Sequence, residues 1–115
     1  QLKDVTLSIK EASEKSKKAN ILGLHYEGPY ISLKYKGAQS PENILNPIKN
    51  PPDELFELWD KILIMGAAPE EEGCLELGDK LKKRNIVASI AHSAASFETV
   101  EDLVEEVPVT QEDLF

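Results

Sequence analysis

Apolar residues recur at Leu2, Val5, Ile9 and Ala12, three and four apart with charges between them. This spacing predicts a helix over 2–18 with one apolar stripe. Ile21-Leu22-Gly23-Leu24 follows as a short continuous apolar run, the pattern of a buried parallel strand. The pattern then breaks. Between Glu27 and Asn50 lie Gly28, Pro29, Gly37, Pro41 and Pro47, which predict a long irregular loop. Loops this long in compact domains are usually functional or disordered. Periodicity returns at Asn50-Pro51, a good N-cap followed by a residue suited to the first helical turn. Leu55, Leu58, Trp59 and Ile62 supply a buried face, and Ile62 to Met65 reads as a second strand, so this helix ends near Asp60. Gly66-Ala67-Ala68-Pro69 is a break. Glu70, Glu71 and Glu72 then open a third helix, where carboxylates complement the positive end of the helix dipole. Leu75, Leu77 and Leu81 line that helix, with Lys80, Lys82, Lys83 and Arg84 near its C-terminal end. Ile86 to Ile90 is a third strand. Phe97, Val100, Val104 and Val107 suggest a last helix, and Val107 to Thr110 the start of a fourth strand.

The resulting order, α-β-loop-α-β-α-β-α, places the chain in the α/β class. Three to four parallel strands alternate with helices through right-handed crossovers. With 115 residues there is room for one domain and no internal linker. Acidic residues outnumber basic ones 21 to 13, a net charge of −8. That argues against nucleic acid or an anionic membrane as the main partner, because phosphate backbones need clustered Lys and Arg. The apolar runs are far too short to span a bilayer. A single cysteine, Cys74, allows no internal disulfide and fits a reducing compartment such as the cytoplasm. It falls near the apolar stripe of its helix, where a buried, inert thiol is expected. The start, Gln1-Leu2-Lys3-Asp4, has neither an initiator Met nor an apolar leader, so a piece of a longer protein is expected.

In parallel α/β folds, ligands gather at the carboxyl ends of the strands. Both histidines fall there. His25 and Glu27 follow the first strand, two residues apart and so on one face. His92 follows the third. A carboxylate and imidazoles on one rim suit zinc or another divalent metal. Each residue alone has a plainer role available, a His bonded to backbone or a Glu capping the next helix, and it is their coincidence that points to a site. Glu70 reads as a helix-opening acid and the lysines at 80, 82 and 83 as a solvated face. His25-Tyr26-Glu27 matches the H-x-E of zinc deaminases, but the companion P-C-x-x-C is absent. There is no phosphate-binding G-x-x-x-x-G-K-[ST], no G-x-G-x-x-G and no G-x-S-x-G elbow.

Three segments in order carry a resemblance. "GLHYEGPYISLKYKGA", "GAAPEEEG" and "VASIAHSAASFETVEDLVE" closely resemble successive segments of N-acetylglucosamine-6-phosphate deacetylases, of the amidohydrolase superfamily. The resemblance implies that residues 1–115 form a single partial amidohydrolase-like domain, a segment of a (β/α)8 TIM-type barrel. It implies a metal-dependent hydrolase that releases acetate from N-acetylglucosamine 6-phosphate, with zinc, iron or another divalent ion as cofactor. Glu27 matches the Glu of the family's H-x-E-G-P motif and His92 the His of its Gly-His-Ser segment, both metal ligands, with His25 in support. The segment Lys36, Gly37, Ala38 and Gln39 matches the Lys-Gly-Ala-His that shapes the sugar site.

The sequence departs from the family where it has Gln39 in place of His and Ala91 in place of Gly. The family's third ligand falls in a Thr-His-Leu-Phe-like strand, where Gln111 or Asp113 stands here, depending on alignment; Gln is a poor zinc ligand and Asp a serviceable one. The family's general base and an early strand of its barrel have no counterpart in this chain. The expectation is therefore that the chain alone is inactive, and that it self-associates or pairs with the remainder of a barrel. Two alternatives remain open: a degenerate non-catalytic α/β module kept for binding or assembly, and a flavodoxin-like domain with accidental similarity.

Overall fold

Parallel strands cannot be joined by tight turns, and each crossover in this chain carries a helix. The computed structural model describes residues 1–106 and 109–111. Strands β1 (Leu24–Tyr30), β2 (Ile62–Ala67), β3 (Val87–Ile90) and β4 (Val109–Gln111) form one sheet in chain order, every pairing parallel. Helix α1 (Leu2–Lys15) precedes β1, α2 (Asp53–Leu58) precedes β2, α3 (Cys74–Lys83) links β2 to β3, and α4 (Phe97–Glu106) links β3 to β4. The expected α/β class and parallel sheet are borne out.

The register sorts the side chains onto two faces. Tyr26, Met65 and Ala88 lie side by side across the sheet, and so do His25, Ile64 and Val87. The first row is buried and belongs to a core that also takes in Leu55, Phe56, Trp59, Leu77 and Leu81 from the helices. The second row faces the open side.

Several boundaries and faces differ from the sequence reading. Helix α1 ends at Lys15 rather than 18, where Ser16 leaves helical geometry and its hydroxyl donates to the Ala19 carbonyl at 2.7 Å. Its packed side runs through Leu2, Thr6 and Ile9, and Val5 is exposed. Thr6 wins the central place because its hydroxyl donates to the Leu2 carbonyl at 2.7 Å and meets the Tyr26 hydroxyl in the core. The first strand starts at Leu24, not Ile21, and Leu22 is 79% exposed. Pairing begins where the Leu24 N–H reaches the Lys61 carbonyl at 2.8 Å, an approach so close that a Cβ on Gly23 would lie 2.5 Å from that oxygen. The same strand runs on through Tyr30, so His25 and Glu27 sit inside it rather than after it.

Helix α2 begins at Asp53, three residues after Asn50, whose backbone carbonyl accepts the Tyr30 hydroxyl at 2.6 Å. Helix α3 begins at Cys74, after Glu70–Glu72, and turns in through Gly73 at φ 86°. Its buried stripe is Cys74, Leu77, Gly78 and Leu81, with Leu75 outside it. Burial pushes the Cys74 thiol up to about 12, the inert thiol expected. Phe97 is exposed, while Val100 packs against the core. The side chain of Val104, and Val107 and Asp113 altogether, lie outside the described residues, as does the side chain of Gln111. No helix among the described residues is long and apolar enough to cross a membrane.

Candidate functional site

β1 alternates buried and exposed positions from Leu24 to Glu27, so the fold that sinks Tyr26 lifts His25 and Glu27 to the opposite face. β2 lies between β1 and β3, yet Glu27 reaches His92 across it. Gly66 makes this possible. A Cβ there would stand 2.3 Å from the Glu27 carbonyl oxygen, so any side chain would displace the β1 backbone at the site. The pairing between β1 and β2 skips from Tyr26 to Pro29 at this point, leaving Glu27 and Gly28 in an irregular stretch.

His92 follows β3 with φ 47°, a left-handed conformation uncommon for a residue other than Gly. It turns the imidazole back over the strand ends. Nε2 lies 3.0 Å from Glu27 Oε1, and Nδ1 lies 3.0 Å from the Tyr35 carbonyl oxygen. The His92 side chain is only 17% exposed, against 56% for Glu27. The His92 carbonyl accepts the Ser32 N–H at 3.2 Å. Gly37, at φ 59°, passes so close that a Cβ on it would touch His92 Cε1 at 3.4 Å. The Glu27 carboxyl is held below the ordinary carboxylate range, first by the hydrogen bond with His92 and then by one from Gln39; the charges of His92 and His25 add to this, and burial opposes it. The structure therefore brings Glu27 and His92 into direct contact, with Gln39 lining the same groove as Glu27 and His25 near enough to act on Glu27 electrostatically.

Of the other expected sugar-site residues, Gly37 passes beside His92, while Lys36 and Ala38 stand apart from this cluster. Lys36 Nζ donates to the Gly37 carbonyl at 3.3 Å on its own loop, and Ala38 is exposed. An open groove of about 770 Å3 runs beside Glu27, Gln39, Tyr30 and Asn50 toward Lys3 and Glu54. Its size is within the range of small-molecule sites.

Glu70 does more than precede a helix. One oxygen accepts the Ser93 hydroxyl at 2.6 Å and the other the Ala94 N–H at 2.6 Å. It thereby ties the loop after β2 to the segment that carries His92. Sequence spacing gave no sign of this, nor of the Tyr35 carbonyl behind His92, since both depend on how distant loops meet. Gly66 left a trace, as a glycine inside an apolar run.

The donor chemistry can be tested against a metal. A neutral imidazole carries one N–H. If that N–H serves Tyr35, the Nε2 lone pair confronts the Glu27 carboxylate, and two lone pairs at 3.0 Å need a proton or a cation between them. Donors sharing one tetrahedral zinc lie about 3.3 Å apart. A backbone carbonyl on the far ring nitrogen is also the usual orienting partner of a metal-bound His. Glu27 and His92 thus fit two positions of a divalent metal's shell. Among the described residues, no group of three or more His, Cys, Asp or Glu side chains could complete it.

No family model matches the chain. It is 36% identical over 98 residues to N-acetylglucosamine-6-phosphate deacetylase of Lysinibacillus sphaericus, a match covering 81% of this chain and 24% of that protein. To the enzyme of the same name from Bacillus subtilis it is 40% identical over 90 residues, 73% of this chain and 22% of that one. The crystal structure of N-acetyl-D-glucosamine-6-phosphate deacetylase from Mycobacterium smegmatis superposes with a TM-score of 0.88 at 21% identity, covering 99% of this chain and 30% of that one, which bears on the fold. The chain spans about a quarter of the length of the curated relatives it matches. Over most of its length, then, it is homologous to one segment of the N-acetylglucosamine-6-phosphate deacetylases, as its three ordered motifs lead one to expect.

Proposed function

We propose that this chain supplies the metal-holding segment of an N-acetylglucosamine-6-phosphate deacetylase, built as an arc of a (β/α)8 barrel. The observation that carries the reading is the Glu27–His92 pair, its oxygen and nitrogen 3.0 Å apart with the far ring nitrogen on a backbone carbonyl. Glu27 and His92 would hold a divalent metal, zinc by preference, with His25 adding to the local field. Such an ion, when bound, activates water and polarises an amide carbonyl. The chain's own residues fix the donors, and Gln39, at the end of the loop from Lys36, borders the groove that would take a phosphorylated amino sugar. The full activity belongs to a longer assembly. The chain spans about a quarter of the length of its relatives, so the activity is assigned to the longer protein that carries this segment.

The edges of the sheet support a further part of this reading. β1 and β4 flank the described sheet, each with one side unpaired by the other strands. Leu22, Leu33 and Leu63 are exposed. Open edges and apolar surface invite pairing, and we assign it to the remainder of the barrel or to a second copy. The charge balance argues against a nucleic-acid or anionic-membrane role, and the single cysteine, which allows no internal disulfide, supports a cytoplasmic setting.

The second reading, a non-catalytic α/β module, draws on Gln39, which stands where the family has His and lines the groove beside Glu27. Acetate release separates the two. The protein carrying this chain is expected to release acetate from N-acetylglucosamine 6-phosphate, and Glu27→Gln to abolish the release. No release despite zinc binding favours the module.

A further inference from the structure

His92 stands after β3 has ended and before α4 has begun, with its backbone at φ 47°. A residue other than glycine keeps such a conformation only where its surroundings over-determine it. Here hydrogen bonds on both flanks do so. Just before His92, the Ala91 N–H donates to the Ala67 carbonyl at 3.2 Å and closes the ladder between β2 and β3. At His92 itself, the carbonyl accepts the Ser32 N–H at 3.2 Å. Just after it, one carboxylate takes the next two residues. Glu70 Oε2 accepts the Ser93 hydroxyl and Oε1 the Ala94 N–H, each at 2.6 Å. Hydrogen bonds to a carboxylate are shorter and stronger than those between neutral groups.

Glu70 is built as the fixed end of this tie. It stands on the turn after β2, next to the buried Ala68 and Pro69. The Ala68 N–H donates to the Tyr30 carbonyl at 2.9 Å, and the Ala68 carbonyl accepts the Glu71 N–H at 3.0 Å, so the backbone is held on either side of Glu70. The gripped end is a short connection. Ser93 Oγ also accepts the Ala95 N–H at 2.9 Å, and Ser96 Oγ accepts the Thr99 N–H at 3.2 Å where α4 starts. The Glu70 carboxylate thus sets where this connection lies relative to β2, directly beyond the residue with the reversed φ.

We propose that Glu70 is a positioning residue for His92: its two hydrogen bonds hold the left-handed turn there and so aim the imidazole at Glu27. Glu70 acts through the backbone of Ser93 and Ala94. This goes beyond the metal reading, on which only its effect on zinc affinity rests. A carboxylate that merely steadied the start of α4 would, on removal, loosen that helix and leave the His92 backbone as it was. A positioning carboxylate releases the turn at His92 itself.

The test uses the full chain, first without metal. The HN–Hα coupling of His92, which reports φ, and its ring resonances, assigned through their loss in His92→Ala, are followed in Glu70→Ala and Glu70→Gln. Ala removes both acceptors. Gln keeps an oxygen for the Ala94 N–H and an amide that can bond the Ser93 hydroxyl oxygen. Coupling and ring signals are expected to change in Glu70→Ala and to return toward the wild type in Glu70→Gln, with the amide signals of the strands preserved in both. Affinity for zinc ion, measured by competition with a chelator, is then expected to fall about 10- to 100-fold in Glu70→Ala, as when orienting partners of metal ligands are removed, and to recover in Glu70→Gln. Unchanged coupling and ring signals in Glu70→Ala overturn the positioning role, as do equal changes in both variants. Should Glu70→Ala fail to fold, Ser93→Ala deletes the hydroxyl arm alone: a smaller change in the same coupling supports the role, and no change overturns it. Absence of zinc binding in the wild-type chain overturns the metal reading instead, and the coupling still decides the role of Glu70.

Discussion

Tyr26 and Glu27 are neighbours in β1 and live in opposite surroundings. Tyr26 is buried in the helix-side core, where desolvation raises its pKa and its hydroxyl meets Thr6. Glu27 stands on the other face among His92, Gln39 and His25, and its pKa is lowered. One face holds the fold by excluding water. The other gathers polar groups that do little for stability and present donors to a ligand. Where β1 alternates, one residue's step separates what keeps the chain folded from what it could do. Substitutions should therefore divide into two classes, and those that fail to divide locate the coupling between the faces.

The largest effect is expected on the helix side. Leu81 is fully buried, and Leu81→Ala should cost about 2–5 kcal/mol by loss of transfer energy and opening of a cavity. Urea unfolding measures this, and zinc affinity of the folded fraction should be unchanged. Gly66→Ala is the substitution that should cross between faces. Its Cβ overlaps the Glu27 backbone, so a destabilisation of about 1–3 kcal/mol from overpacking should come with weakened zinc binding. Stability loss without any change at the site would sever the link drawn between Gly66 and Glu27.

Gly37→Ala is a smaller version on the loop. Its φ of 59° alone disfavours a side chain by about 1–2 kcal/mol, and the methyl would stand in van der Waals contact with the His92 ring. We expect the His92 ring resonances to shift while the midpoint of unfolding moves modestly. Smallest is the pair between α2 and α3, where Lys80 Nζ donates to Asp53 Oδ2 at 2.9 Å on the surface. Asp53 has a lowered pKa chiefly through this hydrogen bond. A carboxyl whose folded pKa is depressed adds stability above its unfolded value of about 3.9 and loses it as pH falls through the lower folded value. Asp53→Asn should therefore remove up to about 1 kcal/mol at neutral pH, as exposed pairs do, and flatten the acid limb of the stability profile. Site resonances should not move.

Much of this division could be read in the sequence, and the exceptions are instructive. The α/β order, the shared face of His25 and Glu27, and the position of His92 follow from local periodicity, and local periodicity survives folding. The face of α1 did not, because Thr6 is favoured over Val5 by a hydroxyl partner on β1, a contact no local pattern encodes. The start of β1 slipped for a similar reason. Backbone contact with Lys61 sets it, rather than the apolar run that contains the exposed Leu22. Within the site, the two expected donors meet, whereas the Tyr35 carbonyl behind His92 and Gly66 beside Glu27 come from two separate segments whose meeting depends on tertiary structure. Glu70 was misjudged because a helix-opening acid and a loop-tying acid look the same in one dimension.

The central claim is that Glu27 and His92 form one cation-binding pair. Calorimetric titration of zinc into the wild-type chain, Glu27→Gln and His92→Ala tests it directly. The account predicts saturable binding in the wild type that is lost in both variants while their unfolding midpoints stay close to the wild type. Equal affinity in all three proteins would contradict it.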